Sequence, residues 1–205
     1  MAADTYVRWV AKPLVFTLCL VPLAWLGWLW FDDALGANPI EANNRYLGGW
    51  SLRFLLFALA VTPLRELLGL PVLVRFRRMI GLFAFFYITL HWTSYIVLDQ
   101  FFDWIEIWKD IIKRWYITVG MFAFIILIPL AATSTKGMIK RLGGARWNKL
   151  HKLVYVAAIA GVFHFYMIIR ADFREPIIYG MILAVLLGYR VVLRIKRNRR
   201  RAQRA

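Results

Sequence analysis

The chain has 205 residues, 61% of them hydrophobic, which is more than one water-soluble core accommodates and excludes an ordinary soluble domain. Its formal net charge of +16 raises the class of nucleic-acid binders, so the distribution of that charge has to decide between this class and a membrane topology signal. The single cysteine, Cys19, excludes an intramolecular disulfide.

Windows of about 20 apolar residues, the length that crosses a hydrocarbon core, predict six spans at residues 10–30, 49–68, 79–98, 117–133, 150–169 and 177–193. The first follows Arg8 and Lys12 as a secretory signal would. Its apolar run is long, however, and no small-residue cleavage site follows, so it is read as a retained helix. Pro13 and Pro22 are tolerable there because neighbouring helices satisfy freed backbone groups. Asp32, Asp33 and the Asn38-Pro39 pair separate it from the second span, which carries Arg53 as the only formal charge between Gly49 and Val61. Pro71 and a cluster of Arg75, Arg77 and Arg78 lead into the third span. The charged segment 99–114, the basic loop 136–146 and Arg174-Glu175-Pro176 bound the remaining three.

Sorting the charges by side puts 20 Lys/Arg with only Asp4 and Glu66 on one face, and seven Lys/Arg with nine acids on the other. Basic segments stay in the cytoplasm, so both termini are predicted inside, with residues 194–205 forming a basic cytoplasmic tail suited to anionic lipid headgroups. That tail lacks the interleaved aromatics of a base-stacking surface, so no nucleic-acid partner is expected. The tryptophans gather toward span ends, at Trp25, Trp28, Trp30, Trp50, Trp104, Trp108, Trp115 and Trp147, as an interfacial belt does. The expectation is an all-α integral membrane protein, a six-transmembrane-helix bundle forming one domain over residues 1–205.

Three histidines, His91, His151 and His164, lie in or at the edge of these spans, where imidazole usually has a task. Counting from the inner ends of spans three and five at about 1.5 Å per residue, His91 lies about 18 Å in and His164 about 20 Å in. Two imidazoles at nearly equal depth suit both axial positions of one haem iron, and a six-coordinate iron transfers electrons without binding substrate. Without a C-x-x-C-H sequence, any such haem is held noncovalently, as haem b. Small residues share the histidine faces, namely Ala84 on span three and Ala157 with Gly161 on span five, and Thr118 and Gly120 add room on span four. These either admit a porphyrin or serve ordinary helix packing. Tyr87, Ser94 and Tyr95 lie within hydrogen-bonding reach of the His91 ring by helical spacing. Arg53, Arg77 and Arg78 suit haem propionates or a flavin phosphate, although lipid contact and topology explain Arg77 and Arg78 equally well and Arg53 can snorkel outward. His151, at the inner mouth of span five, is either a hydrated interfacial residue or part of a second cofactor site for haem, flavin or quinone.

A proton-relaying transporter or channel is the alternative from another class, but no paired Gly/Pro-broken helices mark a midplane substrate site. A purely structural anchor is the third reading. It predicts that alanine at His91 and His164 leaves the partner supported. No G-x-G-x-x-G or Walker A sequence occurs, so a donor outside this chain must deliver electrons.

The stretches LGANPIE, TPLRELLGLP, RFRRMIGLFAFFYITLHWTSY and TSTKGMIKRLGGARWNKLHKLVYVAAIAGVFHF resemble the MsrQ family, which lies within the ferric reductase-like transmembrane group. The resemblance implies a bacterial inner-membrane cytochrome that binds haem b and FMN. It would pass electrons from the quinone pool or a cytosolic flavin reductase to a periplasmic molybdopterin-containing subunit that reduces methionine sulfoxide. It also implies that His91, His151 and His164 are cofactor positions. Related domains in the wider group carry two histidines on each of spans three and five. Here the place one haem spacing before His91 falls at Arg77 or Arg78, so His151 has no evident histidine partner.

Overall fold

The computed structural model describes residues 2–203, and all regular structure among them is helical. Helix α1 (Ala2–Tyr6) runs through a π-helical stretch, Val7–Ala11, into α2 (Lys12–Phe31). α3 (Pro39–Leu68) follows, then a 3₁₀ turn at Pro71–Leu73 that starts α4 (Val74–Ser94), which a π-helical stretch, Tyr95–Asp99, prolongs. Next come α5 (Trp104–Lys113), α6 (Trp115–Ala132), α7 (Lys136–Leu142), α8 (Gly144–His151), α9 (Leu153–Ile168) and α10 (Arg174–Ala202).

Among the described residues six stretches are long and apolar enough to cross a membrane: Asp4–Phe31, Pro39–Leu68, Pro71–Asp99, Trp115–Ala132, Gly144–Ile168 and Arg174–Lys196. Each contains most of a predicted span, and the differences lie at the ends. α3 begins well before residue 49 because Asn38 caps it. The Asn38 Oδ1 accepts from the Glu41 N–H at 3.2 Å, its Nδ2 donates to the Glu41 carboxylate at 3.1 Å, and Pro39 takes the first helical position. Within the predicted tail α10 continues to Ala202, while residues 204–205 lie outside the described part.

The described chain forms two compact units. One comprises the residues up to Ala58 together with Arg75–Arg114, and the other comprises Leu59–Val74 together with the residues from Trp115 onward. In the first unit Ala84 and Tyr87 of α4 are fully buried. The Ser51 hydroxyl donates to the Ala84 carbonyl at 3.1 Å, and the Tyr87 hydroxyl donates to the Cys19 carbonyl at 2.9 Å. The Phe54 ring packs against Phe83 and Tyr87 with centroids 5.9 and 5.1 Å away. Lipid tails are as apolar as leucine, so such helix contacts are held by close packing and hydrogen bonds, which is why small residues line them. In the second unit Ala157, Ala158 and Ala160 of α9 are buried, as are Ala123, Leu127 and Leu130 of α6. Large apolar side chains such as Leu14, Phe16, Leu18 and Val21 of α2 stay exposed, as lipid-facing surfaces require.

Candidate functional site

His91 lies in α4 and meets α3. Its Nδ1 is 2.9 Å from the Asn44 carbonyl, and a Cβ added to Gly48 would come within 3.2 Å of both Nδ1 and Cε1 of the ring. His164, in α9, repeats this against α6. Its Nδ1 is 2.6 Å from the Tyr116 carbonyl, and a Cβ on Gly120 would come within 2.8 Å of Nδ1 and 2.9 Å of Cε1. In both units the carbonyl stands four residues before the glycine. In an α-helix that carbonyl already accepts from the glycine N–H, and its second lone pair takes the imidazole. The missing side chain gives the ring room to reach it.

A carbonyl can only accept, so Nδ1 carries the proton in both rings and the electron pair of the neutral tautomer sits on Nε2. A ring held at one nitrogen by a hydrogen bond and presenting the other as a base is the usual state of a metal-ligating histidine. Among the described residues no three His, Cys, Asp or Glu side chains come together as a metal cage. Each ring, in this state, can offer its Nε2 pair to a metal. The Oδ1 of Asn44, whose carbonyl holds His91, is buried without a hydrogen-bond partner.

His151 differs. It ends α8, where its Nε2 lies 3.1 Å from the Thr133 hydroxyl and its ring stacks on Trp147, with centroids 3.9 Å apart and planes 26° apart. The Thr133 Oγ1 is 2.6 Å from the Pro129 carbonyl, which must receive its proton, so the histidine donates from Nε2. Trp147 adds a hydrogen bond from Nε1 to the Thr133 carbonyl at 2.9 Å. The nitrogen that the other two histidines present as a base is engaged here as a donor.

The remaining predicted positions spread out. Arg53 lies over the Trp50 ring at 5.1 Å. Arg77 and Arg78 are exposed on the first turns of α4, and the neighbouring Arg75 pairs with Asp4. Tyr87, Ser94 and Tyr95 do not serve the His91 Nδ1. Tyr87 bonds the Cys19 carbonyl, the Ser94 hydroxyl receives the Asn43 amide at 2.6 Å, and the Tyr95 hydroxyl donates to the Asp110 carboxylate at 3.1 Å. Ala84 and Ala157 are fully buried, in keeping with the helix-packing alternative for them. The partners that sequence reasoning missed were Asn44, Gly48 and Tyr116. The one available signal was glycine inside a helix, about 1 kcal/mol worse than alanine unless close approach requires it.

An apolar cavity of about 450 Å³ opens among α2, α3 and α4, lined by Leu23, Leu26, Leu47, Leu90 and Val97, with Asn43, Thr93 and Ser94 among its polar members. Trp30 donates to the Asn43 Oδ1 at 2.9 Å, completing a Trp30–Asn43–Ser94 chain along one wall.

Residues 47–162 match the family described as ferric reductase like transmembrane component. The protein-methionine-sulfoxide reductase heme-binding subunit MsrQ of Rhodospirillum rubrum is 57% identical over 185 residues, covering 90% of this chain and 89% of that protein. The subunit of the same name from Caulobacter vibrioides is 52% identical over 178 residues, covering 87% and 85%. The one from Xanthomonas oryzae pv. oryzae is 46% identical over 202 residues, covering 96% and 92%.

Proposed function

This chain belongs to the MsrQ family of protein-methionine-sulfoxide reductase heme-binding subunits, and from that premise we propose that it is a haem b electron carrier of a bacterial inner membrane. His91 and His164 would hold its iron through Nε2. The observation that carries this is the shared state of the two rings, each with Nδ1–H on a helix carbonyl and the electron pair on Nε2. Haem supplies reversible one-electron transfer when bound, and two histidine ligands leave no position for substrate. The residues present fit it: two imidazoles with the right tautomer, and next to one of them an unpaired amide oxygen for a polar group to meet.

The chain hands electrons to a separate periplasmic, molybdopterin-containing catalytic subunit that reduces methionine sulfoxide in oxidised proteins. Both termini lie in the cytoplasm, because the basic segments gather on their side. The donor is the quinone pool or a cytosolic flavin reductase. The apolar cavity bordered by Leu90 and Ser94, close to His91 in α4, favours a lipid-soluble donor. FMN is the second cofactor, with Arg77 and Arg78 as cations for its phosphate and Arg53 for a haem propionate. His151, at the inner mouth of span five, belongs to the flavin side, its Nε2 being already a donor to Thr133.

Visible spectra of the purified chain, air-oxidised and dithionite-reduced, test the reading. Sharp reduced haem b bands are expected, and their absence from protein made with ample haem would end it. Haem quantification then separates the histidines: His91→Ala and His164→Ala each abolish the low-spin six-coordinate signal, whereas His151→Ala retains it.

A further inference from the structure

We propose that Gly48 and Gly120 are positioning residues, two matched notches that set the tautomer and ring orientation of His91 and His164. This rests on the reading of those histidines as haem ligands. The same construction occurs independently in each compact unit: a histidine on one span, a carbonyl on the adjacent helix, and a glycine four residues further along that helix. Four other glycines of the spans lack such contacts. A Cβ on Gly81 or Gly180 would meet its nearest neighbour at an ordinary 3.9 or 3.8 Å, and nothing lies within 4 Å at Gly27 or Gly188. Glycine is a poor residue for a helix interior, and at Gly48 and Gly120 the close approach of an imidazole accounts for it.

The notch acts through the ring. Pinning Nδ1–H to a carbonyl directs Nε2 along one line and fixes the rotation of the imidazole plane about that line. Both matter for overlap with an iron and for the potential it adopts. The acceptor is a neutral carbonyl, so the ligand remains imidazole and is not drawn toward imidazolate as a carboxylate partner would draw it. The two notches also differ in tightness. At Gly120 an added methyl would sit 2.8 Å from Nδ1, closer than Cβ atoms come to other atoms, so the ring must leave the carbonyl. At Gly48 the 3.2 Å approach asks for a few tenths of an ångström.

The test compares the purified full chain as wild type, G48A, G120A and G188A, with H164A as the ligand control, by electron paramagnetic resonance, visible spectroscopy and redox titration. G188A should match wild type. G120A should lose most of its low-spin six-coordinate signal, at least several-fold, in favour of a high-spin species, and added imidazole should restore the low-spin spectrum by filling the opened position. G48A should keep its low-spin signal with altered g-anisotropy and a shifted midpoint potential. Wild-type spectra and potential in G120A, with the low-spin signal lost in H164A, would overturn the notch and leave the ligands standing. A low-spin signal surviving in H164A would remove the ligand reading itself, and the notch with it. Should G120A fail to accumulate, G48A decides: a potential and g-values identical to wild type overturn the proposal, and a shift in either supports it.

Discussion

At the scale of single residues, Arg190 shows how a charge is kept near the end of a membrane span. Pro63 in α3 has no N–H, so the Leu59 carbonyl four residues earlier loses its helical donor. The Arg190 guanidinium takes that carbonyl, bonds the Leu186 carbonyl at 2.9 Å and lies over the Tyr155 ring at 5.5 Å. Arg190→Met should therefore lower stability by about 1–3 kcal/mol, the usual consequence of leaving a buried acceptor unpaired. In a Pro63→Ala background the restored N–H satisfies the same carbonyl, so the loss should shrink by at least about 1 kcal/mol. A double-mutant cycle of thermal or denaturant unfolding measures this coupling, and additive effects would refute the pairing. Main-chain partners also limited what the sequence revealed about the site. Imidazole in apolar sequence identified His91, His151 and His164. Backbone carbonyls carry no sequence signature, and Asn44 and Tyr116 lie 47 and 48 positions from the histidines they hold. The tyrosines and serine nearest His91 by helical spacing found other partners, because spacing along one helix is silent about which neighbouring helix comes closer.

At the scale of elements, the long apolar helices were legible because about 20 apolar residues have few alternatives to spanning a bilayer. α5 was not, because its charges end every apolar window, and its signal is angular. Trp104, Trp108, Ile105 and Ile112 form one exposed apolar face, with Glu106, Lys109 and Lys113 on the other side. Asp103 caps its start, accepting from the Ile105 and Glu106 N–H groups at 3.0 Å. Its inner side is tied down at Asp110, which is buried, accepts from Tyr95 and pairs with Arg114 at 3.1 Å. A short amphipathic helix between two spans lies in the bilayer interface with its aromatic face toward the acyl chains. Brominated lipids should therefore quench tryptophan emission more in the wild type than in a Trp104→Phe, Trp108→Phe variant, and equal fractional quenching would place this face outside the bilayer. Tyr95→Phe removes a hydrogen bond to a buried carboxylate and should lower the unfolding free energy by about 1.5–3 kcal/mol in a denaturant titration.

At the scale of the whole molecule, the question is which way the chain threads the membrane, because sidedness decides where a donor and an acceptor can reach it. Six spans return the chain to the side on which it began, so one orientation fixes every loop. The charge count is lopsided, with 20 Lys/Arg on one side against seven on the other, and the nine acids of the second side do not offset this, since orientation follows the basic residues. The segments around α7 and α8 and the end of α10 should then face the cytoplasm, with the 32–38 turn, α5 and the 169–173 turn facing out. The single native cysteine makes this directly measurable. Cys19 is buried in α2, so Cys19→Ala gives a cysteine-free background at the cost of one small apolar contact. Single cysteines placed at Ala34 or Asp172 should react with a membrane-impermeant maleimide on intact spheroplasts, whereas cysteines at Lys136 or Gln203 should react only after the membrane is opened. The reverse pattern would put the acceptor face on the cytoplasmic side and exclude a periplasmic partner for this chain. A mixed pattern would break the rule that all six segments cross.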